Sequence, residues 1–295
     1  REVLRGFKNL RIAVIGDTML DILVQGSIER LNPEQKRAQL VRISTNGLRN
    51  RKKTVGGGAN VAANIVPFAN CDFYGVVGTD YIGKEMESIF IKQGINPFLF
   101  FDKNTYTIVK ERIFDDAGEY VIRLDYEERA PLDLSDEFQE KIIESLKEKI
   151  KGYDAIILSD YKKGIFVCNS NGNNLATKII SLAKSFNLPV ICDVKPSNLN
   201  FFKGSTVICP NKNEAGEMLF SDAPQLPEEL IEAGKKLKER FLLNHVIITR
   251  DAEGVFVYSG GKSKNLSAFA KEVSDPTGAG DSLTAGVALG LANGL

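Results

Sequence analysis

The chain has 295 residues, 43% of them hydrophobic and 26% charged, which is enough length and apolar content to bury a large α/β core. Lys plus Arg and Asp plus Glu balance at 38 each, so no overall basic field points to nucleic acid or an anionic membrane as partner. No apolar run approaches the ~20 residues that span a bilayer and Arg1-Glu-Val-Leu-Arg5 is not a signal peptide, so the expectation is a cytoplasmic protein.

The first element is a buried strand, Leu10-Arg-Ile-Ala-Val-Ile15, followed by Gly16-Asp-Thr-Met-Leu-Asp21. A dinucleotide-binding opening needs G-x-G-x-x-G at this place; one glycine and two acids disfavour an NAD enzyme. Asp17 and Asp21 suit sugar hydroxyls, since an ionised carboxylate only accepts and a polyol is rich in donors. A solvated turn is the plain alternative. From Ile22 to Thr54 short alternating runs predict an inserted sheet, and residues 105–126 repeat the pattern. There Tyr106–Phe114 and Glu119–Tyr126 flank Asp115-Asp-Ala-Gly118 as a hairpin. Between the two patches, Val55-Gly-Gly-Gly-Ala-Asn-Val-Ala-Ala-Asn-Ile65 places Asn60 and Asn64 one turn apart on a small-residue helix.

After a charged amphipathic helix (Ser135 to Lys151), β/α alternation sets in. Ala155–Leu158, Pro189–Asp193, Thr206–Cys209 and Val246–Thr249 are continuous apolar runs, as expected of parallel strands covered on both faces. Their polar exits, Ser159-Asp-Tyr161, Asp193-Val-Lys195, Pro210-Asn211 and Thr249-Arg250, collect at one edge of the sheet, where open α/β folds bind ligands. Asn211-Lys-Asn-Glu214 also reads as a plain capping box. Gly260-Gly-Lys-Ser263 lacks the first glycine of a P-loop and no helix follows, so a hairpin turn is predicted. A β-like run over 270–274 leads into Asp275-Pro-Thr-Gly-Ala-Gly-Asp-Ser282, where Gly278, Ala279 and Gly280 open a helix of small residues. Free backbone N–H groups and the positive helix end suit a phosphate. A carboxylate beside that anion site would repel the anion unless it had a role of its own. Asp281 either caps the helix or accepts a proton from a hydroxyl that attacks phosphorus. His245 is the only histidine and opens an apolar strand, which leaves no Ser-His-Asp or Cys-His hydrolase. Cys71, Cys168, Cys192 and Cys209 form no close pair and read as reduced core thiols.

The segment Asp275-Pro-Thr-Gly-Ala-Gly-Asp281 resembles the signature of the ribokinase-like (PfkB) carbohydrate kinases. The resemblance implies a three-layer α/β/α fold with a mostly parallel central sheet and a small β-sheet lid, residues 1–295 being one kinase domain with lid segments 22–54 and 105–126. It implies ATP and Mg²⁺ as cofactors. Asp281 would be the base, with the amides of Gly278, Ala279 and Gly280 on the transferred phosphate. Asn211, Thr249, Arg250, Gly254 and Thr277 would bind nucleotide, and Glu214 would bind nucleotide and metal. Asp17, Asp21, Gly56, Gly57, Asn60 and Asn64 would bind the sugar, Asp21 being the stronger of the two acids, and the lid would pair two subunits into a homodimer.

Gly16–Asp21, Ala59-Asn-Val-Ala62, Arg123-Leu-Asp125, Leu158-Ser-Asp-Tyr161 with Lys163-Gly164, and Asp193 with Lys195 narrow the resemblance to the D-glycero-D-manno-heptose 7-phosphate kinase branch. That branch makes heptose 1,7-bisphosphate for lipopolysaccharide core synthesis. Asn32-Pro-Glu-Gln-Lys-Arg37 follows it only through Pro33-Glu34, and Val194 replaces a usual proline. The family continues past the position of Leu295 with helices that help close the adenine pocket, so a truncated chain without an adenylyltransferase module is expected. Lys163 and Lys195 at strand exits, with Lys110, Arg112 and Arg123 on the lid, suit a phosphate already carried by the acceptor; solvated surface charge is the alternative. Asp193 is assigned to the same substrate. Another acceptor (ribose, fructose, a hexose phosphate, a nucleoside) or a non-catalytic sensing module stays open.

Overall fold

The computed structural model describes residues 2–31, 39–43, 51–128, 132–268 and 278–295. The chain opens with α1 (Glu2–Phe7), β1 (Arg11–Gly16), β2 (Thr18–Gln25), β3 (Ser27–Leu31), β4 (Gln39–Arg42) and β5 (Lys52–Gly57). Next come α2 (Gly58–Ile65), β6 (Asn70–Gly78), α3 (Tyr81–Lys92), β7 (Asn96–Asp102), β8 (Ile108–Phe114) and β9 (Tyr120–Tyr126). The second half alternates more regularly: α4 (Asp136–Lys149), β10 (Ala155–Ser159), α5 (Leu175–Ser185), β11 (Val190–Asp193), β12 (Val207–Ile208) and α6 (Lys212–Leu219). It closes with α7 (Pro227–Phe241), β13 (His245–Thr249), β14 (Val255–Ser259), β15 (Lys262–Leu266) and α8 (Ala279–Ala292).

Nine strands form the large sheet in the order β15-β14-β13-β12-β11-β10-β1-β6-β7. All neighbours run parallel except the β13/β14 and β14/β15 pairs. Alternate residues of β1 feed two cores on opposite faces, Ala13 and Ile15 into one, Ile12 and Val14 into the other. The first core takes apolar residues of α4, α5, α6 and α7; the second takes those of α1, α2, α3 and α8. This three-layer α/β/α arrangement with a mostly parallel sheet is the fold expected from the sequence. Chain direction outward from β1 reverses between β10 and β6, so β1 and β10 flank the crevice at their carboxyl ends where such folds bind ligands.

The lid is a four-stranded sheet in the order β5-β2-β8-β9. Its first strand begins at Thr18, earlier than the expected residue 22, because Met19, Leu20, Ile22 and Val24 are buried. Asp21 therefore sits on the lid and not in the turn after β1. The β8/β9 hairpin forms as predicted, with Gly118 N donating to Asp115 O at 3.0 Å. A separate two-stranded sheet pairs β3 with β4. The Asn32–Arg37 segment and the predicted run over 270–274 lie outside the described residues. Gly260 and Gly261, at φ 56° and 77°, make the β14/β15 turn, which places Lys262 and Ser263 on a strand and removes any P-loop.

Candidate active site

Asp281 lies in the first turn of α8 and is 4% exposed. Gly278 precedes the helix in the left-handed region (φ 79°), and the first backbone bond of the helix start runs from Ser282 N to Gly278 O at 3.0 Å. The N–H groups of Ala279, Gly280 and Asp281 therefore lack the usual partner four residues back. Both carboxylate oxygens of Asp281 are held from other elements: Asn60 Nδ2 donates to Oδ2 at 2.6 Å, and the Tyr161 hydroxyl donates to Oδ1 at 2.7 Å. Small residues let α2 and α8 lie side by side, and Ser282 Oγ donates to Asn64 Oδ1 at 2.9 Å while Asn64 Nδ2 donates to Asn60 O at 2.8 Å. The two asparagines predicted from one helix face thus reach the phosphate-loop helix. Thr277 lies outside the described residues.

Tyr161 is carried by a turn that two buried acids organise. Asp17, 4% exposed, accepts from the backbone N–H groups of Tyr161 (2.8 Å), Lys163 (3.1 Å) and Ile165 (3.1 Å). Asp160 accepts from Lys162 N at 2.8 Å, Lys195 N at 3.2 Å and Asn198 Nδ2 at 2.9 Å. Burial, with Asp160 adding to it, pushes the Asp17 carboxyl up to about 6 against those backbone bonds. Lys162 is left-handed (φ 59°), and a Cβ on Gly164 would stand 2.4 Å from the backbone N of Leu132. Asp17 is therefore an anchor of this turn. The sequence reading of Asp17 as a sugar ligand had no access to these partners, which lie about 145 positions away.

A cavity of about 910 Å³ opens beside Asp281. Its wall includes Gly278, Ala279, Gly280 and Asp281 with Tyr161, Asp193, Lys195, Asn211, Glu214, Thr249 and Gly254. Asn211 and Thr249 form a parallel bridge there, and Gly254 holds φ 99° where a Cβ would also stand 2.1 Å from Leu266 O. Arg250 turns elsewhere, pairing with Glu253 and donating to Asn265 Oδ1 at 2.9 Å. Asn211 and Glu214 do form the capping box, at 2.8 and 3.0 Å, yet Glu214 Oε1 also takes Lys195 Nζ at 2.7 Å. The capping role and a place on the cavity wall coexist. Burial raises the Asp193 carboxyl to about 7; Lys195 opposes this, and Asp281, Glu214 and Asp160 reinforce it. Burial alone would lower the Lys195 ammonium, but Glu214 and Asp193 outweigh it and raise it. Among the described residues no cluster of three or more His, Cys, Asp or Glu is arranged to hold a metal ion.

The lid cations form a second group. Arg112 Nη1 meets Asp21 Oδ1 at 2.8 Å, Arg123 Nε meets Asp125 Oδ1 at 2.8 Å, and Lys163 Nζ meets Glu127 Oε2 at 2.7 Å. Lys110 stands among Lys163, Asp125, Glu127 and Arg123 without an ion pair within 4.0 Å among the described residues; burial, then Lys163, lowers its ammonium. Lys195, expected to join these cations, has Glu214, Asp193 and Asp160 as its charged neighbours and belongs to the cavity. Gly56 leaves room for Asp21, whose Oδ2 is 2.6 Å from where a Cβ would be, and Gly57 adopts φ 61° against Asp17 O and Met19. In the sequence Tyr161 stands in a polar strand exit and in the Leu158-Ser-Asp-Tyr161 motif, with no role of its own assigned to it. The usable signal was the apolar run Ala155–Leu158 ending in an acid and a tyrosine at the same sheet edge as Asp281.

Comparison with known proteins agrees with this geometry. The profile described as pfkB family carbohydrate kinase matches residues 11–295. The bifunctional protein HldE of Rhodospirillum rubrum is 32% identical over 99% of this chain and 57% of its own length. The HldE of Campylobacter jejuni subsp. doylei is 37% identical over 97% of this chain and 57% of its own. The chain thus spans little more than half the length of these curated relatives. Among solved structures, phosphofructokinase-2 from Escherichia coli in complex with fructose-6-phosphate superimposes with a TM-score of 0.72 at 18% identity, covering 97% of this chain and 87% of that one. Ribokinase from Giardia lamblia gives 0.69 at 16% identity, covering 96% and 82%. With the ribokinase-like sheet and a family match over nearly its whole length, this chain belongs to the pfkB family carbohydrate kinases.

Proposed function

We propose that this enzyme transfers the γ-phosphate of ATP to a hydroxyl of D-glycero-D-manno-heptose 7-phosphate, giving the 1,7-bisphosphate used for lipopolysaccharide core synthesis. The observation that carries the reading is Asp281, held by Asn60 and Tyr161 at the head of α8 where the helix N–H groups and the large cavity meet. Asp281 accepts the proton of the attacking hydroxyl. The amides of Ala279 and Gly280 stabilise the charge on the transferred group. The cavity fits a nucleotide, with Asn211, Thr249 and Gly254 on its wall. Glu214, with Asp193 nearby, suits a hard divalent ion of the Mg²⁺ kind, which proteins hold through one or two carboxylates and the substrate's phosphates. When bound, nucleotide and ion supply the transferable phosphoryl group and neutralise its charge.

Heptose 7-phosphate is supported by the motifs that resemble the heptose 7-phosphate kinase branch and by matches to 57% of the HldE length that take in nearly all of this chain. Lys110 and Arg123, with Lys163 beside them, offer the acceptor's phosphate a cationic lid, and Asp21 offers its hydroxyls an acceptor. In this reading residues 1–295 are one kinase domain with the lid inserted, acting in the cytoplasm. No helix among the described residues is long and apolar enough to cross a membrane. Two copies pair through the lid, because the edge strand β9 exposes Tyr120, Ile122, Leu124 and Tyr126. The reading is tested by ADP release from ATP with heptose 7-phosphate, fructose 6-phosphate, ribose and fructose in parallel. Preference for an unphosphorylated sugar would leave only the broader kinase assignment.

A further inference from the structure

We infer that Tyr161 is a positioning residue for the base: its hydroxyl, carried by the loop after β10, fixes the plane of the Asp281 carboxylate that faces the attacking hydroxyl. This rests on Asp281 being the base. A carboxylate that must take a proton from a hydroxyl needs a fixed plane, which the two side-chain torsions of an unheld Asp do not give. Here two donors from separate elements fix the plane. Asn60 on α2 holds Oδ2 at 2.6 Å and Tyr161 holds Oδ1 at 2.7 Å, which leaves each oxygen one further lone-pair site for substrate.

The donor is itself immobilised. Tyr161 N is bound to Asp17, its ring lies 5.9 Å from Lys195 Nζ, and the left-handed Lys162 and the crowded Gly164 admit few other courses for the turn. Burial and the adjacent Asp281 raise the phenol, so it stays a donor across the working range. Each element packed against Asp281 contributes in a different sense. From α2 come only the neutral Asn60 and Asn64. From the β10 loop comes Tyr161, the carboxylate of Asp160 being taken by Lys162 N, Lys195 N and Asn198. From the end of β11 come Asp193 and Lys195, the latter engaged by Glu214. Tyr161 and Asn60 are therefore the side chains that hold the carboxylate, one on each oxygen.

The test compares kcat and KM for both substrates in wild type, Tyr161→Phe, Asp281→Asn and the double variant. Phenylalanine keeps the ring over which Lys195 lies and removes only the donor. Expected for Tyr161→Phe is a roughly tenfold lower kcat with little change in KM for ATP, equivalent to one lost charge-assisted hydrogen bond. In the Asp281→Asn background the same change is expected to cost nothing further, because Tyr161 acts through that carboxylate. A full-rate Tyr161→Phe, or a tenfold loss that recurs in the Asp281→Asn background, overturns the positioning role and leaves the base assignment standing. Near wild-type turnover of Asp281→Asn overturns both. If Tyr161→Phe is too unstable to assay, p-aminophenylalanine at position 161, which keeps the ring and a donor at the same reach, carries the decision: wild-type kcat supports the role and a tenfold loss opposes it.

Discussion

At the residue scale the chemistry converges on Asp281. Replacing it with Asn keeps size and the Asn60 contact but removes the proton acceptor, so turnover is expected to fall roughly 10²–10⁴-fold while nucleotide binding persists; steady-state kinetics and calorimetric titration with ATP separate the two. Asp193 makes a second, independent case. Its carboxyl is raised from the ordinary 3.8 to about 7, so its contribution to stability is intact below the ordinary value and is lost as pH rises through 7. Asp193→Asn should therefore melt higher than wild type at pH 8, with the gap narrowing toward pH 4; a gap independent of pH would show that Asp193 is not held in this environment. The turn Gly16–Asp21 shows what sequence reading could and could not see. Both acids were legible as candidates. Their division, Asp17 into a backbone anchor and Asp21 into a lid partner of Arg112, depends on residues 144 and 91 positions away, which no local pattern reports.

At the element scale the central strands and α8 were legible because parallel strands covered on both faces must be continuously apolar, as Ala155–Leu158 and Val246–Thr249 are. The start of β2 was not, since its strand begins two residues after β1 ends and a turn of acids masks the change from one sheet to another. The cations read from the sequence as one group split between elements: Lys195 to the cavity, the others to the lid. Consequently Lys110→Ala and Arg123→Ala should raise KM for a phosphorylated acceptor by about ten- to a hundredfold with little effect on ATP. Lys195→Ala should act mainly on ATP. Equal effects on both substrates would argue against two sites. The β5–α2 junction makes a stability case: Gly57 holds φ 61° with Asp17 O 2.7 Å from where a Cβ would be, so Gly57→Ala should cost at least about 1–3 kcal/mol in denaturant unfolding.

For the whole molecule, the two cores fix the sheet, and the sheet fixes where β10 and β11 meet α8. The lid joins this frame through β2 and β5, whose residues Leu20, Ile22 and Val55 belong to the second core. Its outer strand β9 leaves aromatic and aliphatic side chains in water, and sedimentation analysis should find a dimer that Ile122→Lys together with Leu124→Lys converts to monomer. The most direct measurement is phosphorus NMR of the purified protein with ATP, Mg²⁺ and heptose 7-phosphate. Expected is a second sugar phosphate ester forming in step with ADP in the wild type and absent with Asp281→Asn. An unchanged acceptor with no ADP formed, or the same product at the same rate from Asp281→Asn, would contradict it.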